Sequence, residues 1–204
     1  MVILGLTGGI GCGKSYVAAK MQLRGIPVYD SDSRAKLLVA TSPGLKLELT
    51  RLVGPSVYCS CCGQFRKEVL ARFIFGNPEN LAKVNEIIHP RVKDDFRQWA
   101  EKQKCKDFCV LESAILFESG FESETDFKVC VDAPLELRIK RCIERDKTSR
   151  EAVLKRIENQ MDQDEKCKMA DFVIVNDGVH DLESQIEAMM DRCKNTLNNK
   201  NNYA

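Results

Sequence analysis

The stretch GLTGGIGCGKS, residues 5–15, directly follows a short apolar run at the start of the chain. Within it, residues 8–15 fit the pattern G-x-x-x-x-G-K-[ST]. In this pattern the glycines let backbone N–H groups turn towards a di- or triphosphate, the lysine reaches the β and γ oxygens, and the hydroxyl ligates magnesium. The sequence therefore predicts a phosphate-binding loop (the P-loop) with its nucleotide-binding residues at Gly8, Gly9, Gly11, Cys12, Gly13, Lys14 and Ser15.

The neighbours of the P-loop match the context that the motif requires. VILGLT is β-branched and bounded by glycine, which predicts a buried strand, and the segment from Lys14 to Arg24 has helical spacing in Val17, Ala18 and Met21. The alternative is a glycine-rich turn with an incidental Lys-Ser pair. Strand, loop and helix in this order favour the phosphate-binding interpretation.

Length and charge narrow the class of protein. The 204 residues, 44% of them apolar, suffice for one sizeable core with a small excursion domain, and a net charge of +1 gives no support for nucleic-acid binding. No apolar run approaches a membrane span, and MVILGLT lacks the basic start of a secretory signal. We expect a cytoplasmic protein with no membrane or nucleic-acid partner.

The ten cysteines are scattered through predicted strands and helices, which favours reduced thiols over a disulfide framework. Cys59, Cys61 and Cys62 are the exception because they cluster in a turn-like segment. Three thiols hold a soft metal such as zinc if a fourth ligand comes from elsewhere. The spacing does not match a pair of C-x2-C knuckles, so a reduced surface turn is the favoured interpretation.

The rest of the chain predicts an α/β protein with a five-stranded parallel sheet. Four further segments are nearly continuous in apolar residues, as in strands covered on both faces: IPVYD (26–30), FCVLESA (108–114), FKVCVD (127–132) and FVIV (172–175). Helical segments separate them, so right-handed crossovers are expected. About residues 35–107 form a helical insertion that begins a helix near Asn77-Pro78-Glu79, and residues 135–160 are helical and rich in arginine.

A P-loop alone does not separate GTPases, motors and small-molecule kinases. The chain has no N-K-x-D or D-x-x-G motif and no room for motor domains, which leaves a kinase of a small acceptor. The second strand ends in VYDSD, and a carboxylate there would orient an alcohol that attacks the γ-phosphorus. Asp30 and Asp32 are the candidates. The alternative for Asp32 is a helix N-cap before SRAKLL.

Arg138, Arg141 and Arg145 are three and four residues apart and share one helical face. An arginine over the triphosphate would stabilise charge on the transferred group. The alternative is a solvated face paired with Glu144 and Asp146.

Together, GLTGGIGCGKS, VYDSD, IIHP, KRCIERD and ADFVIVNDG resemble the dephospho-CoA kinase family over almost the whole chain. This resemblance implies a three-layer P-loop kinase fold with three parts: a nucleotide-binding core (1–34, 108–134 and 161–204), a helical domain for dephospho-CoA (35–107) and a lid (135–160). It also implies transfer of the γ-phosphoryl group of ATP to the ribose 3′-hydroxyl of dephospho-CoA, with Mg²⁺ as cofactor.

The resemblance also implies roles for individual residues. Gly11 to Tyr16 would hold the phosphates, Asp32 would face the 3′-hydroxyl, and Arg141 and Arg145 would be lid arginines. Asn176 would lie near the adenine and His89 near the substrate, although a hydrogen-bonded histidine at a helix end is an alternative for His89. The chain departs from the family pattern at Cys12, Tyr16, Ala114 and Arg66-Lys67, and none of these positions is Lys14, Ser15 or Asp32.

Two other functions compete with this interpretation. A kinase of another small acceptor, such as a nucleoside monophosphate, would carry arginines that grip the acceptor phosphate. A nucleotide-binding module without transfer activity would be expected to have lost Lys14 or the aspartates after the second strand, and both are intact.

Overall fold

A computed structural model describes the backbone of residues 1–201 and the side chains of residues 1–196. The chain divides into two compact units, one comprising residues 1–29 and the chain from residue 103 onward, the other residues 30–102. These boundaries lie close to those of the predicted insertion, 35–107.

The first unit is built on a five-stranded sheet in the order β2-β3-β1-β4-β5. The strands are β1 (Val2–Thr7), β2 (Val28–Asp30), β3 (Phe108–Glu112), β4 (Phe127–Asp132) and β5 (Phe172–Val175). The β1–β3, β1–β4 and β4–β5 pairs are parallel. The five strands predicted from the sequence are confirmed.

The helices of this unit are α1 (Lys14–Leu23), α6 (Leu135–Asp146), α7 (Arg150–Glu158), α8 (Gln163–Met169) and α9 (Leu182–Asn201). Residues 202–204, which the sequence analysis included in the nucleotide-binding core, lie outside the described residues. One core cluster joins the sheet to α1 and α9 and includes Leu4, Leu6, Val129 and Ile186, none of which is exposed. Each such side chain contributes about 1.5–3 kcal/mol by burial.

A smaller apolar cluster joins α6 to α7. It consists of Ile139, Cys142 and Val153, and Ile10 of the P-loop packs against it. The P-loop is therefore attached to α6 by apolar packing as well as by polar contacts.

The second unit is helical, as predicted, and contains α2 (Ser31–Thr41), α3 (Pro43–Val53), α4 (Lys67–Ile74) and α5 (Pro78–Glu101). The predicted helix start near residue 78 is confirmed: Asn77 accepts a hydrogen bond from the N–H of Asn80 at 3.0 Å, and Pro78 occupies the first turn. The core of the second unit includes Leu45, Leu49 and Val84.

Among the described residues, no helix has the length and apolar character needed to cross a membrane. All ten cysteines are free thiols.

Candidate active site

The P-loop connects β1 to α1, and it ends where α1 begins. Gly13 is the N-cap of α1 in a left-handed conformation (φ 88°), and no side chain caps the helix there. The first backbone N–H groups of a helix have no carbonyl partner within it, and the helix dipole is positive at this end. This geometry suits a phosphate.

Two glycines of the P-loop are required by close packing. Gly8 (φ 143°) lies against the backbone of Val131 in β4, and a Cβ at Gly8 would overlap the Val131 carbonyl. Gly11 (φ 82°) lies equally close to the backbone of Arg138 in α6. A side chain at either position would push the loop away from the sheet or from α6.

The hydroxyl of Ser15 donates a hydrogen bond of 2.7 Å to Glu112 Oε1. Glu112 is the last residue of β3, a strand that pairs with β1, and its side chain is buried. A hydroxyl and a carboxylate are the oxygen donors that P-loop enzymes use for magnesium. Sequence analysis missed Glu112 because it considered only the residues after the second strand.

Two glutamines hold the P-loop at Gly9 and Ile10. Gln163 Oε1 accepts a hydrogen bond of 2.8 Å from the N–H of Gly9, and Gln160 Oε1 accepts one of 2.9 Å from the N–H of Ile10. The amide nitrogen of Gln163 in turn donates to Asp132 Oδ1 at 3.0 Å. Gln163 therefore ties the P-loop to the end of β4.

No local pattern in the sequence marks these glutamines. They lie about 150 residues from the loop, and glutamine carries no charge that would suggest phosphate chemistry.

Three arginines of α6 were expected to share one helical face, and they differ in their contacts. Arg138 is buried and donates to the carbonyl of Ile10 at 3.1 Å, and Arg141 reaches the carbonyl of Gly11 at 3.4 Å.

Arg145 instead donates to Asp146 at 2.7 Å. Asp146 also pairs with Arg156 at 2.6 Å. Hydrogen bonds from Arg145, then from Arg156, hold the pKa of Asp146 below its usual range.

Asn176, which directly follows β5, is buried and donates from its side-chain nitrogen to the carbonyl of Cys12 at 2.8 Å. This contact attaches the P-loop to the end of β5.

Cys12 itself is buried, and burial raises the pKa of its thiol, opposed mainly by Arg138. A buried thiol with a raised pKa reacts slowly with oxidants. Tyr16, by contrast, is exposed and lies under the ammonium of Lys20, 5.3 Å from the ring centroid.

A cleft of about 600 Å³ opens within the first unit, between the start of α6 and the segment from α7 to α8. Asp132, Arg138 and Gln163 line it, so the residues that hold the P-loop also face this open space.

In the second unit, the two aspartates proposed to orient the attacking alcohol, Asp30 and Asp32, take different positions. Asp30 is the N-cap of α2 and accepts hydrogen bonds of 3.0 Å from the N–H groups of Asp32 and Ser33. The alternative that Asp32 caps this helix is therefore wrong: the helix begins at Ser31, one residue after Asp30 and one before Asp32. Asp32 lies in the first turn with its side chain exposed.

His89 lies within α5, before Pro90, and not at a helix end as the alternative supposed. It is partly buried. Burial, and then the charge of Lys93, lowers the pKa of the imidazole. His89 is therefore neutral at pH 7.

Comparison with known proteins agrees with the P-loop described above. The family model described as dephospho-CoA kinase matches residues 2–196. The chain belongs to the dephospho-CoA kinase family. The dephospho-CoA kinase of Bacteroides fragilis is 48% identical over 183 residues, which cover 90% of this chain and 88% of the relative.

Solved structures share the fold of this chain. A crystal structure of a Thermus thermophilus protein has a TM-score of 0.78 at 36% identity and covers 93% of this chain and 96% of its own. The dephospho-CoA kinase from Campylobacter jejuni has a TM-score of 0.63 at 24% identity, covers 96% of this chain and 95% of its own, and shows the shared fold. The P-loop kinase fold predicted from the sequence is confirmed.

Proposed function

We propose that this protein transfers the γ-phosphoryl group of ATP to the ribose 3′-hydroxyl of dephospho-CoA, giving coenzyme A and ADP. The observation that carries the proposal is the family match over residues 2–196, in a chain that keeps the complete P-loop. The comparisons do not favour the alternative of a nucleoside monophosphate acceptor, because the curated relatives are named dephospho-CoA kinases.

The P-loop would bind the phosphates of ATP. Residues from Gly11 to Tyr16 would hold these phosphates at the start of α1, where the helix dipole favours negative charge. Lys14 would contact the β and γ oxygens and stabilise the charge that develops on the transferred group. Gln163, Arg138 and Asn176 form hydrogen bonds with backbone groups of the loop, which supports a positioning role for them.

Magnesium would be held by Ser15 and, directly or through water, by Glu112. Both offer hard oxygen atoms, which is the donor chemistry that Mg²⁺ requires. There Mg²⁺ would supply positive charge that offsets the negative charge of the ATP phosphates. The hydrogen bond from Ser15 to Glu112 keeps the two oxygen donors together.

Asp32 would face the attacking 3′-hydroxyl. It follows β2 by two residues, and ligands of open α/β sheets bind at the carboxyl ends of the strands. Because Asp30 performs the capping of α2, the carboxylate of Asp32 is not used for this purpose. Phosphoryl transfer through a loose transition state needs more orientation than basicity from such a residue.

The helical unit would receive dephospho-CoA, and His89 would lie near this acceptor, as the family resemblance implies. The arginine-rich helices α6 and α7 would act as the lid. Arg141 already reaches the P-loop, whereas Arg145 would have to exchange Asp146 for a phosphate oxygen.

We also infer a cytoplasmic location, because free cysteines suit a reducing compartment.

The test is ADP release from magnesium-ATP by purified protein, offered dephospho-CoA and, in parallel, AMP, CMP and adenosine, with products resolved by mass. Coenzyme A is expected with dephospho-CoA alone. Protein carrying Lys14→Ala, purified in the same way, reports contaminating host kinase and is expected to be inactive. Transfer to AMP or CMP and not to dephospho-CoA would overturn the proposal.

A further inference from the structure

A short hairpin in the helical unit connects α3 to α4 and carries three cysteines at its tip. An antiparallel bridge joins Tyr58 to Phe65, and the N–H of Cys59 donates to the carbonyl of Gln64 at 2.8 Å. The rings of Tyr58 and Phe65 pack with centroids 5.4 Å apart, and the Tyr58 hydroxyl donates to the Val39 carbonyl at 2.8 Å. The base of the hairpin is therefore fixed in the core of this unit.

The tip folds back on itself so that its thiols converge. Gly63 (φ 72°) donates its N–H to the carbonyl of Cys59 at 2.8 Å, which closes a tight turn over the intervening residues. The sulfur atoms of Cys59, Cys61 and Cys62 all lie within 4.8 Å of one another, and those of Cys59 and Cys61 are 2.9 Å apart. Cys61 and Cys62 are exposed, so the group is open to solvent.

This spacing suits three ligands of one ion. Zinc binds thiolate sulfur at about 2.3 Å, so two sulfurs on a tetrahedral ion are about 3.8 Å apart. The cluster reaches this geometry by small rotations of side chains that have room to move. Among the described side chains, no fourth cysteine, histidine or acidic residue joins the group.

One positive charge lies near the hairpin tip. The ammonium of Lys46 lies 5.5 Å from the Tyr58 ring and close to Gly63. Three thiolates around a divalent ion carry one net negative charge, which this lysine would partly balance.

We propose that Cys59, Cys61 and Cys62 bind one soft cation of the zinc class through their three sulfur atoms, with solvent in the fourth position. Three metal–sulfur bonds form, and the thiols that are still protonated release their protons to solvent. The site is distinct from the Ser15–Glu112 pair, whose oxygen donors select a hard cation. A bound ion would tie residues 59–62 together and hold the hairpin tip in its folded form.

The test is a Co²⁺ titration of the full chain, reduced and kept free of oxygen, with Zn²⁺ then added in competition. One equivalent of Co²⁺ is expected to produce a thiolate-to-metal charge-transfer band in the near ultraviolet, and Zn²⁺ is expected to abolish it. The magnesium site contributes no such band because it contains no sulfur. A protein that gives no charge-transfer band would overturn the proposal.

Serine variants identify the ligands. Cys59→Ser, Cys61→Ser and Cys62→Ser are each expected to weaken zinc binding by more than the roughly 10- to 100-fold that loss of an outer-shell partner costs. Cys105→Ser, which removes another exposed thiol, is the matched control and should bind as tightly as the unaltered protein. Kinase activity of every variant reports correct folding. Undiminished binding in the three cluster variants would place the metal elsewhere and exclude this site.

Discussion

The hydroxyl of Ser15, in the first turn of α1, donates a hydrogen bond of 2.7 Å to the carboxylate of Glu112 at the end of β3. The sheet order explains this contact. β3 pairs with β1 and Glu112 is in register with Leu6, so the carboxylate lies at the strand end from which the P-loop departs. Two residues 97 positions apart in the chain thereby supply one set of oxygen donors.

Glu112→Gln keeps the shape of this side chain and removes its charge. We expect the Mg²⁺ concentration for half-maximal rate to rise about 10- to 100-fold, as for loss of a residue that supports a metal ligand. At saturating Mg²⁺ much of the rate should return. The measurement is a Mg²⁺ titration of ADP formation at fixed ATP and dephospho-CoA. An unchanged requirement would show that Glu112 only stabilises the fold, which the melting temperature of the variant would register.

Asp32→Asn tests the proposed contact with the acceptor hydroxyl. We expect kcat to fall by about 10²–10⁴-fold, the range for a positioned group that accepts or orients a proton. The KM for ATP should change little, because Lys14 and the P-loop backbone bind the nucleotide. Steady-state kinetics with each substrate varied in turn would measure both effects.

The matched control for Asp32 is Asp30→Asn. Asn caps helices about as well as Asp, so this variant should remain folded with α2 intact. It should therefore keep most of its activity. Full turnover by Asp32→Asn, or an equal loss in both variants, would remove the proposed role of Asp32.

The sequence was sufficient to predict those parts of the structure that a local pattern of residues determines. The strands were visible because buried parallel strands are nearly continuous in apolar residues, and the P-loop because its chemistry demands particular residues at fixed spacing. The role of Glu112 was not visible, since it depends on which strands are neighbours in the sheet. Asp30 and Asp32 were not separable, because a shift of two residues in the helix start exchanges their roles.

A buried lysine in α8 provides a test of stability. Lys166 in α8 is fully buried, donates to the carbonyl of Ala114 at 2.7 Å and pairs with Glu118 at 2.7 Å. Lys166→Met keeps the apolar stem and leaves both oxygens without this partner. We expect a loss of about 2–3 kcal/mol in the free energy of unfolding, a moderate value because Glu118 is partly exposed.

Urea unfolding of Lys166→Met, compared with Lys168→Met in the last turn of the same helix, measures this loss. Lys168 is exposed, so its replacement should cost less than about 0.5 kcal/mol. Adding Glu118→Leu to Lys166→Met should recover part of the stability, since the unpaired charge is removed. Equal stability of the two single lysine variants would show that the buried pair contributes nothing.

The thiols of the chain should differ sharply in reactivity towards iodoacetamide. With the pKa of Cys59 lowered to about 6, its alkylation rate in the reduced, metal-free protein should rise as pH increases through 6 and level off above 7. Cys12 should stay unmodified in the folded protein, because it is buried and its pKa is raised. Peptide mass spectrometry after brief labelling from pH 5 to 8 measures both, and denaturation before labelling provides the control in which Cys12 reacts. A Cys59 rate that is still rising steeply at pH 8, as for an unperturbed thiol with a pKa of about 8.5, would contradict the arrangement of the Cys61 thiol and the N–H groups around its sulfur.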